Sequence, residues 1–386
     1  MTPEDPQGPA PEAPTTDRVV WLALIVALVL LLQTGTPPRV VVLSAIVIAA
    51  TLAFSLKWRL AGGAIVVLLL VGLGLRIVPP TGFSDVLTVT EAATREMLAG
   101  GNPYGHGFEE SIPPGAPFAY GPLALLWYLP SLADPGRMEL LASVVVLGLL
   151  ALRGRPLGLA IYAATPAFVV ASGDGSNDTT AGLLILIALL AAVRLPLLGA
   201  ALLAAAVAFK PYALAWLPGL VGFAGIGPLL VFLATSAVFW LPALVAWGPG
   251  SMLWSYREAD ALHSRPYYSL AYGLGSSGDV PPAAWNALRI GAGVALAVLN
   301  FVLVRSAAGL IIGGTLVFAA TLFLGWWSTF AYLAAVAPIV CWHLDDWLGL
   351  GGRVAWPGDP VRRVTTWADL AIPVRGTVMG SRHAAR

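Results

Sequence analysis

Charged residues are scarce in this chain. Lysine, arginine, aspartate and glutamate make up 11% of the 386 residues, whereas soluble domains carry roughly 25%. This scarcity argues against an ordinary soluble domain. The two signs nearly balance, with 21 basic and 20 acidic residues. Proteins that bind nucleic acid carry clustered basic residues, so we expect no nucleic-acid partner.

Cysteine is nearly absent as well. The one cysteine, Cys341, lies in an apolar run, so a disulfide within the chain is excluded and a cysteine metal cluster is not expected. We predict no metal ion and no other cofactor. Lysine occurs only at Lys57 and Lys210, and arginine supplies the other basic residues.

Hydrophobic residues instead make up 58% of the chain, and the mean hydropathy is +0.82. A helix that crosses a bilayer needs about 20 apolar residues, or fewer where neighbouring helices bury it. We therefore predict an all-α polytopic membrane protein with about twelve transmembrane helices. The predicted spans are residues 18–34, 39–56, 60–78, 138–152, 157–172, 179–193, 196–210, 211–224, 227–246, 286–304, 307–325 and 328–344.

The termini and the basic residues give a predicted topology. Residues 1–17 hold five prolines and four acidic residues without apolar periodicity, which predicts a disordered tail. A second tail, residues 345–386, follows the membrane domain of residues 18–344. Arginine and lysine near span ends favour the cytoplasm, which places both termini and both tails inside. Two external loops result, at residues 79–137 and 248–285.

The first external loop is the longest polar stretch between predicted spans. Asp85 precedes a helix-like sequence, and its carboxylate suits either a helix cap or a general base. Asn102 and Tyr104 belong to GGNPY, a turn by composition; they face a substrate or only shape the loop. Tyr120 follows in PFAYGPLALLWYLP, and the apolar stretch 122–133 predicts an interfacial or re-entrant helix.

Two polar groups lie at predicted span ends. Lys210 precedes Pro211, which breaks the helix. An ammonium group there can bind a phosphate, or it can reach lipid headgroups as a snorkelling lysine. Asn177 and Asp178 belong to SGDGSND, whose spacing matches no calcium-binding loop. Contact with sugar hydroxyls and capping of the following helix both stay open for them.

The second external loop interleaves basic and aromatic residues. Arg257, His263 and Arg265 alternate there with tryptophan and tyrosine. Arginine binds phosphate in a two-pronged manner, and aromatic rings pack on the apolar face of a sugar. The same composition is typical of the aromatic belt at a membrane interface.

The order of these motifs resembles one enzyme family. An acidic residue after an early span is followed by GGNPY, PFAYGPLALLWYLP, SND and AGLLILIALLAAVRLPLLGAALLAAAVAFKPYAL, over roughly residues 82–217. This arrangement resembles the polyprenyl-phosphate-sugar-dependent glycosyltransferases of the C superfamily. Among them it is similar to the bacterial family that includes the phosphatidylinositol-mannoside mannosyltransferases.

The resemblance implies an enzyme of the bacterial cytoplasmic membrane with an active site that faces outside. Its donor is a sugar on a polyprenyl phosphate, with mannose as the first candidate, and its acceptor is a hydroxyl of a lipid or glycan. Asp85 matches the position of the family's catalytic carboxylate. The residues that we expect at the donor phosphate are Lys210, Arg257, His263 and Arg265, and those at the substrates are Asn102, Tyr104, Tyr120, Asn177 and Asp178.

Two other functions compete with this hypothesis. A twelve-span secondary transporter or lipid flippase typically has paired repeats, and in one common class the long connection is cytoplasmic. Here the long predicted loops are external, which favours the enzyme. A scaffold without activity is compatible with the same fold, and it would be favoured if Asp85 and Lys210 lay far apart.

Overall fold

Helices make up most of the chain that the structure describes. This computed structural model describes residues 25, 38–57, 62–77, 84–112, 114–263, 265–275 and 280–348. The helical class is confirmed for this part of the chain. The helices are α1 Pro38–Lys57, α2 Gly62–Ile77, α3 Val86–Leu98, α4 Pro122–Trp127, α5 Gly136–Arg153, α6 Pro156–Ala164, α7 Pro166–Ala171, α8 Asp178–Ala192, α9 Pro196–Phe209, α10 Leu217–Ala224, α11 Ile226–Trp247, α12 Pro249–Ala261, α13 Leu270–Gly273, α14 Pro282–Leu303, α15 Ala307–Phe323 and α16 Tyr332–Trp347.

A short hairpin is the exception to the all-α prediction. Strand β1 (Gly107–Phe108) pairs antiparallel with strand β2 (Ala116–Pro117) inside the predicted first external loop. A Cβ atom on Gly107 would lie 2.0 Å from the carbonyl oxygen of Gly115. Only glycine allows this close approach of two backbone segments.

Prolines decide where two of the predicted spans break. The predicted span 157–172 is divided into α6 and α7 at Pro166, because proline lacks the N–H group that would continue the first helix. The predicted span 211–224 begins as a 3₁₀ helix, Pro211–Trp216, and becomes α-helical only in α10. Neither segment is one continuous helix.

Other predicted boundaries also shift. The predicted interfacial helix at 122–133 is shorter, since α4 ends at Trp127. The predicted tail 345–386 starts inside α16, which continues to Trp347. Outside the described residues lie the tail 1–17, most of the predicted span 18–34 and residues 349–386.

Two helices are long and apolar enough to cross a membrane. They are α11 and α14, each of 22 residues. Buried positions make up only 11% and 6% of their most apolar stretches, whereas the core helix of a soluble protein is mostly buried. Large side chains such as Val245 and Leu303 are exposed on them. An apolar surface of this kind is compatible with lipid rather than water.

Acidic residues of α16 bind the adjoining ends of α5 and α6. The Asp345 carboxylate accepts hydrogen bonds from the backbone N–H groups of Leu157 (3.1 Å) and Gly158 (2.8 Å) in the first turn of α6. The Asp346 carboxylate pairs with Arg153 at the last residue of α5, at 2.8 Å. These acidic residues therefore belong to the folded domain and not to a tail.

Three clusters of buried apolar side chains hold the helices together. The first lies mainly between α1, α2, α5 and α6, and the second between α8, α9, α15 and α16. The third fills the first loop and reaches Phe209, the last residue of α9. The rings of Trp127 and Tyr128 lie 6.2 and 6.0 Å from the Phe209 ring, centroid to centroid. The loop is thus packed directly beside Lys210.

Gly121 makes the closest backbone approach in this packing. Its N–H donates to the carbonyl of Phe209 at 3.2 Å. A Cβ atom at position 121 would lie 2.0 Å from the carbonyl oxygen of Ala208. A side chain of any size would therefore push the first loop away from the end of α9.

We predict that Gly121→Ala lowers the stability of the protein by about 1–3 kcal/mol, the usual cost of overpacking. Thermal unfolding of the purified chain in detergent measures the effect. Gly74→Ala in α2 is the matched control, because a Cβ atom there meets nothing within 4 Å. Equal unfolding temperatures for the two variants would contradict the packing described here.

Candidate active site

The start of α3 is docked on the turn that precedes α8. The Ser84 N–H donates to the carbonyl of Asp174 at 2.7 Å, and the Leu87 N–H donates to the carbonyl of Gly175 at 2.8 Å. Gly175 has a φ of +87°, and a Cβ atom on it would lie 2.0 Å from the carbonyl oxygen of Ser84. Glycine is required at this position for both reasons. This contact places Asp85 close to the beginning of α8.

Asp85 occupies the N-cap position of α3, but its side chain does not cap the helix. Its Oδ2 atom accepts a hydrogen bond from the Ile112 N–H at 2.8 Å. Its Oδ1 atom accepts none from the described residues, and the side chain is half-buried. One carboxylate oxygen is therefore held by a hydrogen bond, and the other can accept a hydrogen bond from a bound molecule.

Lys210 and Asp178 form a buried ion pair. The Lys210 Nζ atom lies 2.7 Å from Asp178 Oδ1 and 2.6 Å from Asn177 Oδ1. Only 6% and 2% of the Lys210 and Asp178 side chains are exposed. Lys210 directly follows the last residue of α9, and Asp178 begins α8, so the pair fixes the shared end of these neighbouring helices. Burying either charge alone would be strongly unfavourable.

Three tyrosine rings surround the Lys210 ammonium group. Their centroids lie 5.3 Å (Tyr120), 5.2 Å (Tyr212) and 5.5 Å (Tyr332) from Nζ, close enough for cation–π attraction. The Tyr212 hydroxyl also donates to Asp178 Oδ1 at 2.7 Å. Neither Tyr212 nor Tyr332 was predicted as a site residue, although Tyr212 is only two positions beyond Lys210.

Tyr120 connects this cluster with Asp85. Burial raises the pKa of Tyr120 well above its usual range, and the neighbouring Tyr332, Asp178 and Asp85 raise it further. The phenol therefore stays protonated and can act as a hydrogen-bond donor. Tyr120 therefore lies within electrostatic range of Asp85 in the first loop and of Asp178 at the start of α8, and its ring lies beside Lys210 after the end of α9.

Unpartnered polar atoms lie next to this cluster. The Nδ2 atom of Asn177 and the hydroxyl of Tyr256 are buried and have no hydrogen-bond partner among the described residues. Asn177 binds Lys210 through its oxygen, and Tyr256 is close enough to influence the pKa of Tyr120. Buried polar atoms normally have a partner, so these two are available to a bound molecule.

Asp174 adds a second buried carboxylate to the turn before α8. Its Oδ1 atom accepts a hydrogen bond from the Ser176 N–H at 2.8 Å. Burial raises the pKa of Asp174, and the nearby Asp178 raises it further, while Ser176 and Lys210 oppose the shift. Among the described residues, no group of three His, Cys, Asp or Glu side chains is placed to hold a metal ion.

Glu139 anchors the start of α8 from the neighbouring helix α5. Its carboxylate accepts hydrogen bonds from the Tyr128 hydroxyl at 2.6 Å, from the Thr180 N–H at 3.0 Å and from the Thr180 hydroxyl. A carboxylate is favourable at the N-terminus of a helix because it meets unpaired N–H groups and the positive end of the dipole. Glu139 was not predicted, although it is the one acidic residue in an otherwise apolar span.

Asn102 and Tyr104 use their polar atoms inside the protein. The Asn102 Nδ2 atom donates to Ser251 Oγ at 3.1 Å and to the Trp247 carbonyl at 3.3 Å. Tyr104 is buried, and its hydroxyl donates to the carbonyl of Tyr120 at 3.0 Å. Asn102 thus joins the two predicted external loops, and Tyr104 holds the backbone of Tyr120 in place.

The second loop reaches the cluster through stacked rings. The ring of His263 stacks on Trp327 with 3.6 Å between centroids, and Trp327 meets Tyr332 edge to face at 6.3 Å. The exposed side chains of Arg257 and Arg265 form no ion pair or hydrogen bond within the described ranges. Two guanidinium groups are thus free on this loop.

Arg289 is a further basic residue beside this contact, and the sequence analysis did not predict it. Its Nη2 atom lies 3.0 Å from Asp260 Oδ1. Burial lowers the pKa of His263; Asp260 raises it and Arg289 lowers it. His263 is therefore predominantly neutral at pH 7.

Comparison of the chain with protein-family models, with curated proteins and with solved structures finds no match in any of the three. The function is therefore argued from the chemistry of this cluster and from the sequence.

We predict that the Lys210–Asp178 pair is strongly coupled. Lys210→Met or Asp178→Asn alone should cost about 3–5 kcal/mol, because each leaves a buried group without its partner. The double variant should lose less than the two single variants together. Thermal unfolding of all four proteins in detergent measures the coupling.

The exposed pair Arg95–Glu91, at 2.6 Å, is the control for this cycle. Removing it should cost less than about 1 kcal/mol, since exposed ion pairs contribute little. Losses that simply add for Lys210 and Asp178 would contradict the coupling.

We also predict that acid releases the second loop. Because the folded-state pKa of His263 is lowered, the folded protein binds this proton less readily than the unfolded chain. Docking is therefore complete above the unfolded value of about 6.5 and weakens as the pH falls below it. Hydrogen exchange of residues 255–263 at pH 8 and pH 5.5 measures the change. His263→Phe keeps a stacked ring but cannot titrate, so an equal response in this variant would refute the role of His263.

Proposed function

We propose that this chain is a membrane glycosyltransferase. It moves a sugar, with mannose as the first candidate, from a polyprenyl-phosphate donor to a hydroxyl of a lipid or glycan acceptor. In this proposal the chain crosses the bacterial cytoplasmic membrane about twelve times, and the active site faces outside. The acceptor hydroxyl displaces the polyprenyl phosphate directly from the anomeric carbon of the sugar.

The docking of α3 on the turn before α8 carries the proposal. Without it, Asp85 would belong to a long loop with no fixed relation to the helices. With it, Asp85 lies within electrostatic range of Tyr120, whose ring is 5.3 Å from the Lys210 ammonium group. The scaffold alternative would be favoured if Asp85 and Lys210 lay far apart, so this placement supports an enzyme.

Asp85 is suited to act as a general base. One carboxylate oxygen is held by the Ile112 N–H and the other is free of hydrogen bonds to described residues. The free oxygen accepts the proton of the acceptor hydroxyl as the hydroxyl oxygen attacks the anomeric carbon. A base in a fixed position typically accelerates such a step by about 10²- to 10⁴-fold.

The donor phosphate leaves with a negative charge and needs a cation. Lys210 already pairs with Asp178. Its positive charge is therefore neutralised and is not free to balance the phosphate. Arg257 and Arg265 are unpaired among the described residues, and a guanidinium group binds two phosphate oxygens at once. We therefore assign the phosphate to these arginines. His263, being neutral, donates at most one hydrogen bond to it.

The distribution of charge supports the membrane placement. Asp178 begins α8, and Arg194 follows the end of this 15-residue helix, roughly 22 Å away at 1.5 Å per residue. The acidic residues and tyrosines of the candidate site lie at one end of α8, and Arg194 lies at the other, in a short connection between helices; Arg257 and Arg265, at the end that carries the site, belong to the long second loop. Arginine near span ends favours the cytoplasm, so the candidate site faces outside.

We predict that membranes with the wild-type chain transfer labelled mannose from polyprenyl-phospho-mannose to endogenous lipid or glycan acceptors. Asp85→Asn should lower the rate by about 10²-fold or more at equal protein level. The asparagine oxygen can still accept the Ile112 N–H, so the loop keeps its place while the base is lost.

Glu91→Gln is the control for this experiment, because Glu91 pairs with Arg95 on the outer face of the same helix. It should transfer mannose like the wild type. Equal rates for Asp85→Asn and the wild type would remove Asp85 from the mechanism. A wild-type chain that transfers no mannose would reopen the choice of sugar and acceptor together with the transporter or flippase alternative.

A further inference from the structure

An apolar groove lies at the end of the bundle opposite to the candidate active site. Its volume is about 360 Å³, and its walls are Val221, Ile226, Phe301 and Val302. These residues belong to the end of α10, the start of α11 and the end of α14. The groove is as large as a small-ligand pocket, which typically measures about 300–1,000 Å³. It opens beside the exposed apolar faces of α11 and α14.

Two glycines shape this groove. A Cβ atom on Gly222 would lie 2.6 Å from the carbonyl oxygen of Phe301, so α10 and α14 approach each other closely here. Gly225 has a φ of +83°, and a Cβ atom on it would meet nothing within 4 Å. It turns the chain from α10 into α11 and leaves open space in front of the turn.

Arg305 lies at the polar edge of the groove. Its Nη1 atom donates to the carbonyls of Val304 (2.6 Å), Gly222 (3.0 Å) and Phe301 (3.4 Å). All of its hydrogen bonds to described residues are made by Nη1, and the side chain is exposed. The Nε and Nη2 atoms are therefore available to a ligand on one edge of the guanidinium group.

No carboxylate of the groove-forming segments can neutralise Arg305. The sequence contains no acidic residue between Asp178 and Glu258, and none between Asp279 and Asp345. These two intervals supply the residues that line the groove. The groove thus combines apolar walls with a positive charge at one edge that no carboxylate of the described residues pairs with.

We propose that this groove binds an anionic glycerophospholipid of the inner leaflet. The acyl chain lies against the apolar walls, and the phosphate binds the free edge of Arg305, whose fork of N–H groups matches two phosphate oxygens. A free phosphate ion would leave the apolar walls bare. A zwitterionic lipid would bring a cationic group to a site without a carboxylate. The inference depends on the membrane placement and not on the proposed transfer reaction.

Native mass spectrometry of the full chain in detergent tests this inference. Phosphatidylglycerol and phosphatidylcholine with the same acyl chains are titrated separately. The wild type should bind one phosphatidylglycerol at least about tenfold more tightly than phosphatidylcholine, as expected for a charge-assisted hydrogen-bonded contact. Arg305→Gln should remove this preference. Glycerol 3-phosphate, which has no acyl chain, should not compete.

Two further variants make the result specific. Arg305→Gln also weakens the bonds to three carbonyls, so Val302→Trp, which fills the groove and keeps Arg305, should independently lower phosphatidylglycerol binding. Arg194→Gln removes an arginine at the same end of the bundle but outside the groove, and should bind like the wild type. Equal binding of both lipids by the wild type, wild-type binding by both groove variants, or an equal loss in Arg194→Gln would overturn the inference.

Discussion

The buried pair of Lys210 and Asp178 is the constraint on which this end of the bundle depends. Two opposite charges in an apolar environment are tolerated only together and only when hydrogen bonds satisfy their remaining atoms. Asn177 and Tyr212 supply those hydrogen bonds. Because the two charges belong to adjoining ends of α8 and α9, the pair fixes how these helices meet. It also determines where the tyrosine rings that surround the ammonium group must lie.

The start of α8 collects more acidic side chains than this one lysine pairs with. Asp178 occupies its first turn and Glu139 reaches it from α5, and both are stabilised by the N–H groups and the dipole of the helix. The turn before α8 also receives the start of α3 through two backbone hydrogen bonds. One helix terminus thus joins a bundle helix, the first loop and the charged cluster. A displacement of α8 would therefore also displace the bundle helix, the first loop and the charged cluster that contact it.

The sequence predicts the helices and several site residues but not their partners. Long apolar runs mark most helices because their composition is unambiguous. Asp178 and Lys210 stand out because charges are rare in and beside such runs, whereas Asp85 is predicted from its place in the order of motifs. The break at Pro166 follows from the missing N–H group of proline and the length of α4 from local packing, and hydropathy encodes neither. Tyr332 and Arg289 join the site from more than 70 residues beyond Lys210. Their role arises from helix packing and leaves no local pattern.

Among the basic residues of the described chain, the buried Arg76 and Lys210 are paired within the fold, whereas some exposed arginines keep donors without a partner among the described residues. Arg76 is buried and gives its donors to Ser143 and to backbone carbonyls, while Lys210 is matched by Asp178. The donors of these two buried cations are thus used in contacts within the protein, since an unpaired charge in the interior would destabilise the fold. Arg257, Arg265 and Arg305 are exposed and retain free donors. In the two proposals made above, a phosphate therefore binds exposed arginines, either on the second loop or at the opposite edge of the bundle.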